Sequence, residues 1–179
     1  MIETHPFKPF VPQGAKYLIL GTFAAKQSLK GKKYTDENYD FYYGVKRNQF
    51  WPILEKVYGR NLKDTQSRLD LLSELHIAMA DIIYQCERKS GSNLDSNLIN
   101  IVYAKESISQ VFEKNQISKV FFTSRKAETK FRSNFKEVIA KRPNIELVTL
   151  PSPSTRYARM LFEDKIKKYK ELLPPINSG

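Results

Sequence analysis

Lys16-Tyr17-Leu18-Ile19-Leu20-Gly21-Thr22 is a short apolar run ending in glycine, the form of a strand buried on both faces of a sheet. Downstream the theme returns in Ile77-Ala78-Met79-Ala80-Asp81-Ile82-Ile83, in Val120-Phe121-Phe122-Thr123, and in Ile145-Glu146-Leu147-Val148-Thr149-Leu150, which Pro151 stops. Between these runs the apolar residues change to a helical period. Phe50, Ile53, Leu54 and Val57 fall at i, i+3, i+4 and i+7, with Gly59 as the stop. Leu69, Leu72 and Leu75 mark a helix over 65–75, and 107–115 is helical in pattern. A helix over 126–140 carries Phe131, Phe135 and Val138, and a last one over 159–173 carries Leu161, Ile166, Tyr169 and Leu172. Strands alternating with helices predict parallel pairing with helices on both faces. The expected fold is α/β, a three-layer α/β/α sandwich around a short, mainly parallel four-stranded sheet. Residues 1–15, with three prolines and a glycine, predict an extended arm; 24–38 and 88–97 predict loops, with a short element from about Leu98. No repeat or linker divides the chain, so one domain over 1–179 is expected.

Lys and Arg number 30 against 19 acids, for a net charge of +11 and a pI near 9.6. That balance predicts a polyanionic partner. The basic runs 26–33, 125–132 and 165–170 can each be a solvated face, but together they suit a nucleic-acid backbone. The single Cys86 cannot form an intramolecular disulfide, which suits the reducing cytoplasm. Met1-Ile2-Glu3-Thr4-His5-Pro6 lacks the apolar core of a signal peptide, and no apolar run reaches membrane-spanning length. The two histidines, His5 and His76, lie far apart and cysteine ligands are missing, so no metal or other cofactor is expected. No phosphate-binding or dinucleotide glycine pattern is present either.

Phe41-Tyr42-Tyr43-Gly44-Val45-Lys46-Arg47-Asn48-Gln49-Phe50-Trp51-Pro52-Ile53-Leu54 packs five aromatics, including the only Trp, into its first eleven residues. Four consecutive polar residues sit in their midst. Rings for stacking, Lys46 and Arg47 for phosphate, and an amide with donor and acceptor suit nucleic acid. An aromatic mini-core beneath a surface turn accounts for the same composition. Asn48 in turn is either the N-cap of the helix containing Phe50 or a holder of water or of an extruded base.

In a parallel sheet ligands bind beyond the carboxyl ends of the strands. Those ends are Gly21-Thr22-Phe23, Asp81-Ile82, Thr123-Ser124 and Pro151-Ser152-Pro153-Ser154, and they form one rim. Pro151 to Tyr157 is a stiff, hydroxyl-rich turn. It serves as a plain capped connection, or it binds phosphate and drives Arg156 or Tyr157 into a base stack. Asp81 is either a site carboxylate or a strand-end acid paired with Arg88. His76 reads as a partly buried, satisfied histidine, and Cys86 receives no role.

Gly21-Thr22-Phe23-Ala24-Ala25, Phe41-Tyr42-Tyr43-Gly44 with Arg47-Asn48-Gln49-Phe50-Trp51, and Leu150-Pro151-Ser152-Pro153-Ser154 together resemble the uracil-DNA glycosylase superfamily. Within it the chain is most similar to the hypoxanthine-DNA (deoxyinosine) and mismatch-specific uracil glycosylases. The resemblance implies a monomeric, cofactor-free DNA-repair hydrolase acting on duplex or single-stranded DNA. Such an enzyme flips out a deaminated base, hypoxanthine or uracil, and hydrolyses its N-glycosidic bond. It further implies that Asn48 positions or activates water, that Thr22, Phe23 and Thr123 shape the base pocket, and that Tyr42 or Tyr43 stacks on the base. Asp81 reads the base edge. Ser152, Ser154, Thr155, Arg156 and Tyr157, with Lys46 and Arg47, hold the DNA. Three places depart from the pattern: Phe23-Ala24-Ala25 replaces Pro-Gly or an acid or amide, Leu150 stands where uracil-specific relatives carry His, and Thr123-Ser124 stands where relatives can carry Asn. A non-catalytic nucleic-acid binder on the same fold is the alternative.

Overall fold

The computed structural model describes residues 1–24, 40–89 and 94–176, together with the backbone of 28–29 and 32–33. In chain order the elements are β1 (Ile2–Thr4), β2 (Tyr17–Gly21), β3 (Ser28–Leu29), β4 (Lys32–Lys33), α1 (Phe50–Tyr58), α2 (Thr65–Glu74), β5 (Ile77–Asp81) and β6 (Ile83–Arg88). They continue with β7 (Leu98–Tyr103), α3 (Lys105–Lys114), β8 (Lys119–Phe122), α4 (Arg125–Asn134), α5 (Lys136–Ala140), β9 (Glu146–Thr149) and α6 (Phe162–Leu172).

The central sheet has four strands in the order β5-β2-β8-β9, every pairing parallel. Alternation along β2 explains the three layers. Leu18 and Leu20 point into a core shared with Ile108, Phe112 and Phe131 from α3 and α4. Ile19, between them, points into a second core with Phe50, Leu54, Leu72 and Tyr169 from α1, α2 and α6. From β2 the chain passes to one neighbour, β5, and later returns to the other, β8. That change of direction opens a crevice at the carboxyl end of β2.

Several expectations are corrected. The predicted arm is part of the sheets: β1 pairs antiparallel with β6, and Phe10 exchanges backbone hydrogen bonds of 2.9 and 2.8 Å with Met79 on the outer edge of β5. The arm thus occupies groups that an edge strand would leave open. Of the expected 88–97 loop, Arg88 closes β6 and Asp95–Asn97 form a 3-10 turn, while the short element expected from Leu98 is present as β7. β6 and β7 pair antiparallel and form a three-stranded sheet with β1. The expected helix over 126–140 is two helices. Phe135 leaves helical geometry (φ −119°, ψ 36°), and its ring stacks on Phe131 at 5.0 Å. The last helix begins at Phe162 and not at 159, because the segment before it is occupied by turns. The basic run 26–33, the rest of the expected 24–38 loop beyond Ala24, and residues 90–93 lie outside the described residues, apart from the antiparallel β3–β4 pairing.

α1 ends where the sequence stops it, with Gly59 at φ 62°. α2 is capped by Asp64, whose carboxylate accepts from Ser67 N at 2.7 Å. No helix among the described residues is long and apolar enough to cross a membrane.

Candidate active site

A cavity of about 930 Å³ opens at the carboxyl ends of the central strands. Its wall takes in Thr22 and Phe23 after β2, Tyr42, Tyr43, Arg47 and Asn48 before α1, Asp81 at the end of β5, and Thr123 after β8. The turn after β9 completes it with Ser152, Ser154, Thr155, Arg156 and Tyr157. Of the candidate residues only Lys46 stands outside this lining, exposed on the surface.

The floor is built around Gly21. It lies opposite Asp81 in the β2–β5 register, and a Cβ there would run into the Asp81 carboxylate and the Tyr43 hydroxyl. Glycine is required by that close approach. Tyr43 has a left-handed backbone (φ 59°), which costs a non-glycine residue energy and marks a constrained position. The ring stacks on Phe50 at 4.4 Å, and the hydroxyl shares a 3.0 Å hydrogen bond with Thr123. Burial, with the Asp81 charge adding to it, holds the Tyr43 phenol well above its ordinary pKa. Tyr43 is therefore a neutral hydroxyl at the pocket floor. Tyr42 is only 3 % exposed; its hydroxyl donates to the Lys8 carbonyl at 3.0 Å, and its carbonyl accepts the Trp51 indole N–H at 2.7 Å. The aromatic mini-core is present, formed by Phe41, Tyr42, Phe50 and Trp51, while Tyr43 also lines the cavity.

Of the two alternatives for Asn48, the structure shows a capping contact. Its Oδ1 accepts the Phe50 N–H at 2.8 Å, serving the start of α1 from one residue outside the formal cap, Gln49, which makes no side-chain cap bond. That bond fixes the carboxamide plane of a residue that lines the cavity. Asn48 also forms an antiparallel bridge to Ser154, reinforced by Gln49 N donating to the Pro153 carbonyl at 2.8 Å. Two segments some hundred residues apart are thus one small ribbon across the mouth.

The turn itself is stiffened locally. Ser152 Oγ accepts from Ser154 N at 3.3 Å, and Ser154 Oγ accepts from Arg156 N at 3.2 Å. Both hydroxyls keep their hydrogens to donate. Arg156 is exposed, and Tyr157 is 38 % exposed at the rim.

Three residues at the site escaped sequence reasoning. Lys165 on α6 is 1 % exposed; its Nζ donates to Gln49 Oε1 at 2.8 Å and to the Ser154 carbonyl at 3.1 Å. It also lies 5.6 Å from the Tyr157 ring centre. Burial lowers its pKa. In sequence it is one lysine within a basic run. Asp95, half-buried at the cavity edge, hydrogen-bonds Thr22; burial foremost, aided by the Asp81 charge, raises its pKa against the opposing pull of Thr22, Lys126 and Arg88. His5, in the predicted arm, sits 2.8 Å from Asp81 Oδ2 through Nε2. Asp81 thus pairs with His5, while Arg88 binds Glu3 at 2.9 Å and the Ala24 carbonyl at 2.9 Å. The expected Arg88 partner for Asp81 is corrected. So is the satisfied His76: its buried Nδ1 has no hydrogen-bond partner among the described residues. Neither His5 nor Lys165 carries a local signal, since Asp81 stands 76 residues from the one and Gln49 116 from the other. The nearer Lys165 partner, Ser154, accepts through a backbone carbonyl that its side chain does not announce.

No group of three or more His, Cys, Asp or Glu able to hold a metal ion occurs among the described residues.

The chain has the fold of a protein from Methanosarcina acetivorans solved by solution NMR and proposed to be a uracil DNA glycosylase, with a TM-score of 0.68. The likeness is one of fold. It spans 96 % of this chain and 99 % of the other at 22 % sequence identity. No protein-family model matches the chain, and no curated protein matches it in sequence.

Proposed function

We propose that the protein is a DNA glycosylase that flips a deaminated base, hypoxanthine or uracil, into the cavity and hydrolyses its N-glycosidic bond. One observation carries this reading: a single cavity gathers Tyr43 and Asn48 from the segment before α1 with Asp81, Thr123 and the Pro151–Tyr157 turn from three strand ends on a chain of net charge +11. The fold shared with a protein proposed to be a uracil DNA glycosylase supports it, as does the resemblance of the three rim segments to that superfamily.

The chemistry follows from the groups present. Breaking the C1′–N bond leaves positive charge on the sugar and negative charge on the base, so prearranged donors and a held water supply most of the acceleration. Asn48, its carboxamide fixed by Phe50 N, holds the water. Tyr43 and Thr123 offer neutral hydroxyls to the base, and Asp81 accepts a ring N–H of the kind hypoxanthine and uracil carry. The hydroxyls of Ser152, Ser154 and Thr155, with Arg47 and Lys46 on the near side, hold the DNA backbone. Arg156 or Tyr157 fills the vacated stack. Deaminated bases pair poorly, which lowers the cost of flipping and adds selectivity. The enzyme works as a monomer.

The test is incubation with oligonucleotides carrying deoxyinosine, deoxyuridine or deoxyxanthosine, followed by alkaline cleavage of abasic sites. Product from one of them is expected; none from any, with enzyme in excess, refutes the activity. Phe23 and Leu150, which replace residues found in catalytic relatives, favour a second reading as a nucleic-acid binder without catalysis. That reading predicts salt-sensitive binding and no abasic product.

A further inference from the structure

The N-terminal arm places one side chain behind the base pocket. The His5 backbone N–H donates to the Tyr84 carbonyl at 2.8 Å, which fixes the residue beside β6. The ring is enclosed by Phe7, Phe23 and Tyr42, with centroids at 5.8, 5.4 and 5.5 Å. Its Nε2 meets Asp81 Oδ2 at 2.8 Å, each side chain being 6 % exposed. The other carboxylate oxygen, Oδ1, lies on the side of Gly21 and the Tyr43 hydroxyl, where Asp81 lines the cavity.

The far nitrogen of His5 is unusual in having two partners of opposite kind. Nδ1 lies 2.8 Å from the Phe7 carbonyl and 3.1 Å from the Phe7 N–H. A protonated Nδ1 donates to the carbonyl, and a bare Nδ1 accepts from the N–H. In both forms Nε2–H remains on Asp81. The residue can change charge while the hydrogen bond to Asp81 persists.

We infer that His5 is a positioning residue of the base pocket, holding Asp81 Oδ2 so that Oδ1 faces a ring N–H of the bound base and, when protonated, cancelling the carboxylate charge beside the leaving group. This rests on the glycosylase reading above and assigns the pH control of that same site. In the reaction the C1′–N bond breaks with its electron pair on the base, and the water oxygen forms the new bond to C1′. The water's proton neutralises the departing base, and His5 transfers none. An uncompensated Asp81 would oppose the growing negative charge; the imidazolium removes that opposition.

The charged and titratable groups around the pair are consistent with this role. Asp81 faces His5 from β5, and Tyr42 does so from the segment before α1. Behind Phe23 stands Arg88, 5.6 Å from that ring centre and already paired with Glu3; the Asp81 charge also reaches Asp95 at the cavity edge. Burial opposes protonation of His5, but the hydrogen bond and charge of Asp81, with the Phe7 carbonyl, outweigh it and raise the pKa above the ordinary 6.5.

The experiment is a pH series of single-turnover base excision for the wild type and His5→Gln, whose amide donates to Asp81 but carries no charge. Wild-type rates should be highest at low pH and fall through the His5 pKa. His5→Gln should lack that limb and run about 10- to 100-fold below the wild type on the acid side, the scale on which partners behind a liganding group act. NMR titration of the His5 ring in the wild type should give a midpoint above 6.5 that coincides with the activity limb. A His5→Gln profile identical to wild type overturns the inference, as does a ring titration that does not track activity. A uniform loss at every pH also overturns it, since that marks a merely structural role. Should His5→Gln fail to fold, the titration and the wild-type profile still decide. A wild type inactive on every lesion refutes the glycosylase reading, whereas an active wild type with an unchanged His5→Gln refutes only the role of His5.

Discussion

Replacing Gly21 with alanine probes the floor of the cavity with one methyl group. The new Cβ would overlap the Asp81 carboxylate and the Tyr43 hydroxyl. Neither can withdraw freely, because Asp81 is held by His5 at 2.8 Å, and Tyr43 by Thr123 at 3.0 Å and by stacking on Phe50. Relief therefore breaks one of these hydrogen bonds or shifts β2 against β5. Overpacking of this kind costs about 1–3 kcal/mol, which in a chain of this size lowers Tm by roughly 2–12 °C. The protein should still fold. Base excision should fall by about 100-fold, since displacing a positioning group by even a fraction of its length can cost that much. Adding Tyr43→Phe removes one of the two clashing atoms, so the double variant should regain part of the lost stability while remaining slow, a coupling read from the double-mutant cycle. Thermal melts and single-turnover excision check both. A Gly21→Ala variant with unchanged Tm and a rate within about twofold of wild type, a gap of under 1 kcal/mol, would refute the close approach that organises the floor.

Asn48→Ala should lose about 1 kcal/mol of stability with the Phe50 N–H left uncapped and about 100-fold or more in excision; Asn48→Asp, which keeps the acceptor, should restore the melt and so separate capping from chemistry. Lys165→Met leaves Gln49 Oε1 and the Ser154 carbonyl without their donor, at about 1–3 kcal/mol each, but also removes a buried charge that costs several kcal/mol. Its Tm should change little while excision drops, because the register of the turn against Asn48 loosens. Since burial lowers the Lys165 pKa, the unfolded chain binds the extra proton between that lowered value and the ordinary one. Wild-type stability relative to Lys165→Met should therefore rise with pH across that window, as urea melts can show. Arg156→Gln should weaken DNA binding across sequences and reduce the slope of log K against log salt by about one if Arg156 meets one phosphate.

The central strands were legible because each is a short apolar run that only a sheet buried on both faces accommodates. Their ends named the rim, and Gly21 and Asp81 stood out as a glycine and an acid where hydrophobic residues prevail. The strands of the outer sheet were harder. β6 runs Ile83-Tyr84-Gln85-Cys86-Glu87-Arg88, whose polar half reads as the start of a loop, and β1 is three residues beside a proline-rich stretch. The break at Phe135 left no mark either, since Phe131 and Phe135 keep helical spacing across it.

Sequence alone determined the alternation of strands and helices, the basic charge, and the three segments that meet at the strand ends, because these follow from local periodicity and residue chemistry. Tertiary structure alone decided which side chains those segments are bolted to. His5 meets Asp81 across 76 positions, Lys165 joins Gln49 to Ser154 from another helix, and Tyr43 rather than Tyr42 reaches the floor because the Tyr42 ring is enclosed beside His5 and Phe7. Burial makes these pairings matter. A histidine or lysine in water is indifferent to its neighbours, whereas one out of water must find partners, and only the folded chain specifies where they stand.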